Sequence, residues 1–230
     1  MQNLFVFLNL YFGSFTGKLI AIYFMVLIIA AIISILRFKK VSKPIKVLSI
    51  LLCTTLINEL LSLYLTFKYK NNSFSFHFFN VIELYLITMY FLCLLQPKKI
   101  KIYILFISFF YPLFEYLNII YLQPLSTLNS NFITFETFLT IGLSLYSLYR
   151  LLLKDLVNPI LKYSHFWFCS IILMYFSCSF CLWPLIKMLY NQKSSYYRIA
   201  INIHVVINIF TYLGLGLTFL FSPKMLSDAA

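Results

Sequence analysis

Acidic residues are almost missing from this chain: 230 residues contain only six Asp or Glu. Glycine is as scarce, with five. Charged residues make up 10% of the sequence, against about 25% in a soluble domain. Too little charge is present to solvate a globular surface. Glycine-rich phosphate loops, a GxSxG elbow, HExxH and ExxH are all absent, which removes the common nucleotide, serine-hydrolase and zincin signatures. A cleavable leader is not expected either. The first residues, MQNLFVFLNLYFGSFTGK, lack a positive start and a small-residue cleavage site. Residues 1–17 read instead as a Phe- and Tyr-rich segment lying in the membrane interface.

What fills the chain is apolar sequence, 62% of it. Seven runs are long enough to cross about 30 Å of hydrocarbon, near 19–37, 47–67, 76–96, 101–121, 131–150, 166–187 and 198–221. Loops between them are short. The expectation is an all-α polytopic membrane protein, a seven-transmembrane-helix bundle forming one domain over 1–230. Abundant Phe, Tyr, Ile, Asn and Lys point to an AT-rich genome, and hence to a bacterial cytoplasmic membrane.

Net charge is +12, and its placement speaks of topology rather than nucleic acid. Arg37, Lys39, Lys40, Lys43, Lys46, Lys98, Lys99, Lys101, Arg150, Lys154, Lys162 and Lys224 fall on one side. Only Lys18, Lys68, Lys70, Lys187, Lys193 and Arg198 fall on the other. The positive-inside rule then puts the N-terminus outside and the C-terminus in the cytoplasm. Attraction to anionic lipid heads is a secondary use of the charge.

Cys53, Cys93, Cys169, Cys178 and Cys181 all sit inside spans and read as small polarisable packing residues. Pro112 and Pro184 lie within the fourth and sixth spans, where each should kink its helix or free a carbonyl. The first span carries no Asn, Glu or His, which places it at the bundle edge against lipid or a second copy. Ala30, Ala31 and Ser34 form its small-residue patch.

Four of the six acids are glutamates inside these runs: Glu59, Glu83, Glu115 and Glu136. At 100° per residue, Glu59 shares a stripe with Thr55 and Ser62, and Glu83 with His77 and Asn80. Glu115 shares one with Ser108 and Asn118, and Glu136 with Thr140, Ser144 and Ser147. In the seventh span His204, Asn208 and Thr211 line up. Given the topology, the four glutamates and His204 all fall in the outer half of the membrane. The sequence thus predicts one polar layer shared by five helices.

A charged side chain at the centre of a spanning helix costs roughly 2.5–3.5 kcal/mol, and no Lys or Arg lies inside the runs to pair these four. Protonation, a bound cation, or an aqueous vestibule would each resolve the cost. The function expected is binding or transport of a cation or protonated small molecule. Its ligands would be Glu59, Glu83, Glu115, Glu136, His204, Asn208, Asn80 and Asn118. No cofactor is required, although Glu59, Glu83, Glu115 and His204 suit a divalent metal ion. Two other classes stay open: a metal-dependent membrane hydrolase acting on lipid at the outer leaflet, and a non-catalytic sensor, assembly or membrane-disrupting subunit. Expected partners are the lipid bilayer, a second copy through the first helix, and a cytoplasmic protein on the basic loops.

Known seven-helix families fail at their defining residues. A retinal protein needs a lysine within 199–221, and none is there. Seven-helix zinc hydrolases use several histidines, whereas His77, His165 and His204 are the only three here, with His165 at the opposite surface. The Pro-Gln signature of small SWEET-type sugar transporters is absent.

Overall fold

The computed structural model describes residues 14–95, 97–153 and 159–222. Most of the expected interfacial segment, Lys154 and Lys224 lie outside the described residues. The described chain is helical: α1 Phe15–Arg37, α2 Lys43–Tyr69, α3 Ser73–Leu94, α4 Lys98–Phe109, α5 Tyr111–Tyr121, α6 Ser130–Leu152, α7 Ser164–Asn191 and α8 Tyr197–Phe221. Counting α4 and α5 together, seven segments are long and apolar enough to cross a membrane.

Most helices overrun the apolar windows by several residues, because hydropathy counts hydrocarbon whereas caps sit in the interface. Ser14 accepts from the Gly17 N–H at 3.0 Å and starts α1. Pro44 occupies the first turn of α2, where its missing N–H costs nothing. Lys70 adopts φ 59° and closes α2 through its N–H to the Thr66 carbonyl.

Proline acts differently at its two sites. At Pro112 the helix breaks, with the Phe110 N–H tightening onto the Ile107 carbonyl at 3.0 Å and α5 starting afresh. At Pro184, α7 runs through without interruption, its ring on the exposed face.

Six helices close on themselves. α1 packs on α2, α2 on α3, α3 on α6, α6 on α7, α7 on α8, and α8 back on α1. The broken pair α4–α5 stands outside this ring, against α3 and α6. Large side chains such as Ile29, Phe106, Phe138 and Phe210 project outward, as a lipid-facing surface requires.

The first span turns one face outward, as expected, and packs the other into the bundle. One face, with Met25, Ile29 and Ile32, is exposed, but Tyr23, Leu27, Ala30, Ala31 and Ser34 are buried. The small-residue patch is used within the chain: Ser49 on α2 donates to Ser34 at 3.0 Å, and Ala30 meets Gly216 of α8. A Cβ placed on Gly216 would lie 3.3 Å from the Ala30 Cβ and 3.4 Å from its Cα, so the backbones approach as in other small-residue membrane contacts. Gly216→Leu is expected to destabilise the protein by about 1–3 kcal/mol through overpacking. Gly142→Leu, where an added Cβ meets nothing within 4 Å, leaves the melting temperature in detergent unchanged.

Candidate functional site

All six ring helices contribute to one partly open cavity of about 70 Å³. Tyr23 comes from α1, Glu59 from α2, Asn80 and Glu83 from α3, Glu136 from α6, Tyr175 and Trp183 from α7, and His204 and Asn208 from α8. Helical periodicity produces this convergence: each lining residue lies on the face its helix turns toward the ring axis. At roughly 10–15 Å³ for each water, the space holds on the order of five waters.

Three carboxyls face this space. Glu59, Glu83 and Glu136 all line it, as does Tyr23. Glu83 stands within electrostatic range of Glu59, and Glu136 within range of both Glu83 and Glu115. Glu136 is 2% exposed, and its Oε1 has no hydrogen-bond partner among the described residues. Among the described residues neither Lys nor Arg lines the cavity. Like charges held away from water repel one another, so this cluster, fully ionised and without a cation, would work against the fold.

His204 sits beside them with its ring 4.8 Å from that of Trp183. The Asn208 amide donates to its Nε2 at 3.3 Å, which leaves the proton of a neutral ring on Nδ1. That Nδ1, the Asn208 Oδ1 and the Asn80 Nδ2 are all buried without partners among the described residues. Buried polar atoms are ordinarily satisfied, so a cavity edged by several orphans is built to meet something else.

The fourth glutamate belongs elsewhere. Glu115, on α5 outside the ring, meets His77 of α3 at 2.6 Å. Asn129 donates to its Oε1 at 3.0 Å and Asn118 to its Oε2 at 3.4 Å. Asn118 also donates to Asn129, and Asn131 to Asn118. The Thr127 carbonyl lies 3.1 Å from the His77 Nε2 and can only accept, so Nε2 carries a proton. A single further proton between Nδ1 and the carboxyl serves both arrangements, imidazolium with carboxylate or imidazole with carboxylic acid. The pair is neutral as a unit in either. Glu115 and Asn118 therefore form a satisfied clamp that ties α5 and the 122–129 loop to the ring.

The expected five-helix layer thus separates into a cavity (Glu59, Glu83, Glu136, His204, Asn208 and Asn80) and an adjacent clamp (Glu115, Asn118 and His77). The metal set of Glu59, Glu83, Glu115 and His204 is split the same way. Among the described residues no three His, Cys, Asp or Glu side chains gather at metal-ligand spacing. Tyr23, Tyr175, Tyr212 and Trp183 line the cavity but were not among the expected site residues. Their rings count as apolar in a hydropathy reading, although each carries a polar tip. No family model matches the chain, and neither does any curated protein or solved structure.

Proposed function

We propose that this is an integral membrane protein whose ring of helices encloses a binding site for a small cation or protonated amine. The site would lie in the half of the bilayer facing away from the cytoplasm. One observation carries the reading: glutamates from three different helices line a single pocket, with no Lys or Arg among the described residues of its wall. A cation placed among them relieves their mutual repulsion and supplies the partner that the orphaned atoms lack. The volume favours an ion with a few waters, or a compact ammonium, over a sugar or nucleotide.

Depth and orientation rest on helix arithmetic. His204 lies about 10 Å along α8 from Tyr197 and Glu136 about 9 Å along α6 from Ser130, while Glu83 is near the middle of α3. The site would then lie between the bilayer centre and the end with fewer basic residues, which the positive-inside rule turns outward. Lys70 and Lys187 border a depression of about 550 Å³ at that end. Exposed lysines there are screened within about 8 Å at physiological salt, so they do not bar a cation. A metal hydrolase would need a gathered set of ligands, which is not found among the described residues, so binding is the reading preferred.

Thermal melting of purified protein in detergent tests it, across sodium, potassium, ammonium, methylammonium, calcium, manganese and zinc at fixed ionic strength. One of these is expected to raise the melting temperature in a saturable way, and the Glu59→Gln/Glu83→Gln double variant to lose that response. Wild-type protein indifferent to the whole series, or a response that survives the double substitution, would sink the proposal.

A further inference from the structure

We infer that the cavity is one end of a proton path that continues down α6 to the basic end of the bundle. The inference rests on the cavity being a cation site and adds a route and an ion to it.

Hydroxyl side chains in helices ordinarily bond back to a carbonyl one turn earlier, and most here do. Thr54, Thr55, Thr66, Thr134, Thr137 and Thr218 all donate in this way at 2.8–2.9 Å. Three residues on one face of α6 do not. Thr140, Ser144 and Ser147 follow Glu136 at four, eight and eleven residues, and each hydroxyl is buried with no partner among the described residues. Their exposures are 0%, 0% and 5%. Glu136, the first member of the series, lines the cavity and has an unpartnered oxygen of its own.

The spacing suits water between the groups. Four residues of helix rise about 6 Å and three about 4.5 Å, while two hydrogen bonds through one water span about 5.6 Å. Ser147 lies about 7.5 Å from the end of α6, where Arg150 begins the basic loop. Much of the ring interior below the cavity is apolar, and the polar groups described there are already bonded, Tyr90 to His165 and Cys169 and Ser49 to Ser34. Leu52, Ile87, Phe91, Phe168, Ile172 and Phe219 are buried there in one cluster. A cation carrying its hydration shell meets that plug, whereas a proton needs only a file of oxygens.

In each step a hydronium in the cavity gives a proton to the carbonyl oxygen of a protonated Glu136 and is left as water, while the hydroxyl oxygen of that carboxyl releases its own proton to a water held at Thr140. Each hydroxyl then accepts one proton and passes on its own. Only O–H bonds form and break, and one positive charge advances.

The test uses the full chain in lipid vesicles with an entrapped pH-sensitive dye, a proton gradient and a potassium ionophore to set the potential. Wild-type protein is expected to dissipate the gradient faster than empty vesicles do. Thr140→Val/Ser144→Ala/Ser147→Ala should slow it by at least about tenfold while keeping the wild-type melting temperature and cation response. Thr134→Val, whose hydroxyl bonds its own helix, serves as the control and keeps the wild-type rate. Should the triple variant melt low, the three single variants decide. A variant as fast as wild type overturns the path, and so does wild-type protein no faster than empty vesicles. In that last case a surviving cation-dependent melting shift leaves the binding site standing. Proton flux without any cation response would overturn the binding site instead.

Discussion

His77→Ala is expected to destabilise the protein by about 3–5 kcal/mol, the range for stranding one member of a buried ion pair. The Glu115 carboxyl is 4% exposed as a residue and would keep only its Asn129 and Asn118 contacts. Those two amides hold the loss toward the lower end. The clamp is also the chief polar link between α5 and the ring, the other being the Thr88–Tyr111 hydroxyl pair at 3.1 Å. Loss of the clamp should therefore loosen the fourth span more than the rest. A double-mutant cycle checks the mechanism. Adding Glu115→Gln to His77→Ala removes the stranded charge, so its extra cost should be well below that of Glu115→Gln alone. Additive melting shifts would mean that the 2.6 Å contact carries no coupling.

Asn80→Lys is expected to do the opposite and stabilise the ion-free protein. Asn80 is buried, lies one turn before Glu83, and lines the cavity with an unpartnered amide nitrogen. A lysine there places an ammonium among Glu59, Glu83 and Glu136 as a tethered counterpart of the proposed ligand. A ligand at about 100 times its Kd stabilises by about 2.7 kcal/mol, and the substitution should recover a gain of that order without added cation. It should also abolish the remaining cation response, since the place is taken. Melting curves with and without the cation measure both effects. A lysine variant less stable than wild type, or one that still responds to cation, would show that the carboxyls do not need a positive partner.

The glutamates were legible because two local rules locate them. The 3.6-residue period fixes which face each one occupies, and the rise per residue fixes its depth. Those rules placed Glu59, Glu83, Glu136, His204, Asn80 and Asn208 at a common level, and the structure brings them around one cavity. The same rules put Glu115 there too. They cannot report that α5 lies outside the ring, because membership depends on which helices pack, not on any one helix's face. The partners that satisfy Glu115 come partly from Asn129 and Thr127, in a stretch between helices where no period applies. Tyr23 was hidden for another reason. An α1 without Asn, Glu or His read as a lipid-facing helix, yet a tyrosine hydroxyl is enough to bring α1 to the cavity wall. Span boundaries and the break at Pro112 followed from composition and the chemistry of proline. The through-running helix at Pro184 shows that the same residue is tolerated where its ring faces outward.

The ring is closed by α1 on α8, which are the first and last of these helices to leave the ribosome. Until α8 arrives, the cavity has an open side, and Glu59, Glu83 and Glu136 stand along a trough that lipid can reach. Assembly then runs against a clock set by translation, and the earliest helix must wait for the latest at the Ala30–Gly216 seam. A chain stopped before α8 would display three membrane-buried acids at once, the kind of exposed polar surface by which quality-control proteases distinguish unfinished membrane proteins from finished ones.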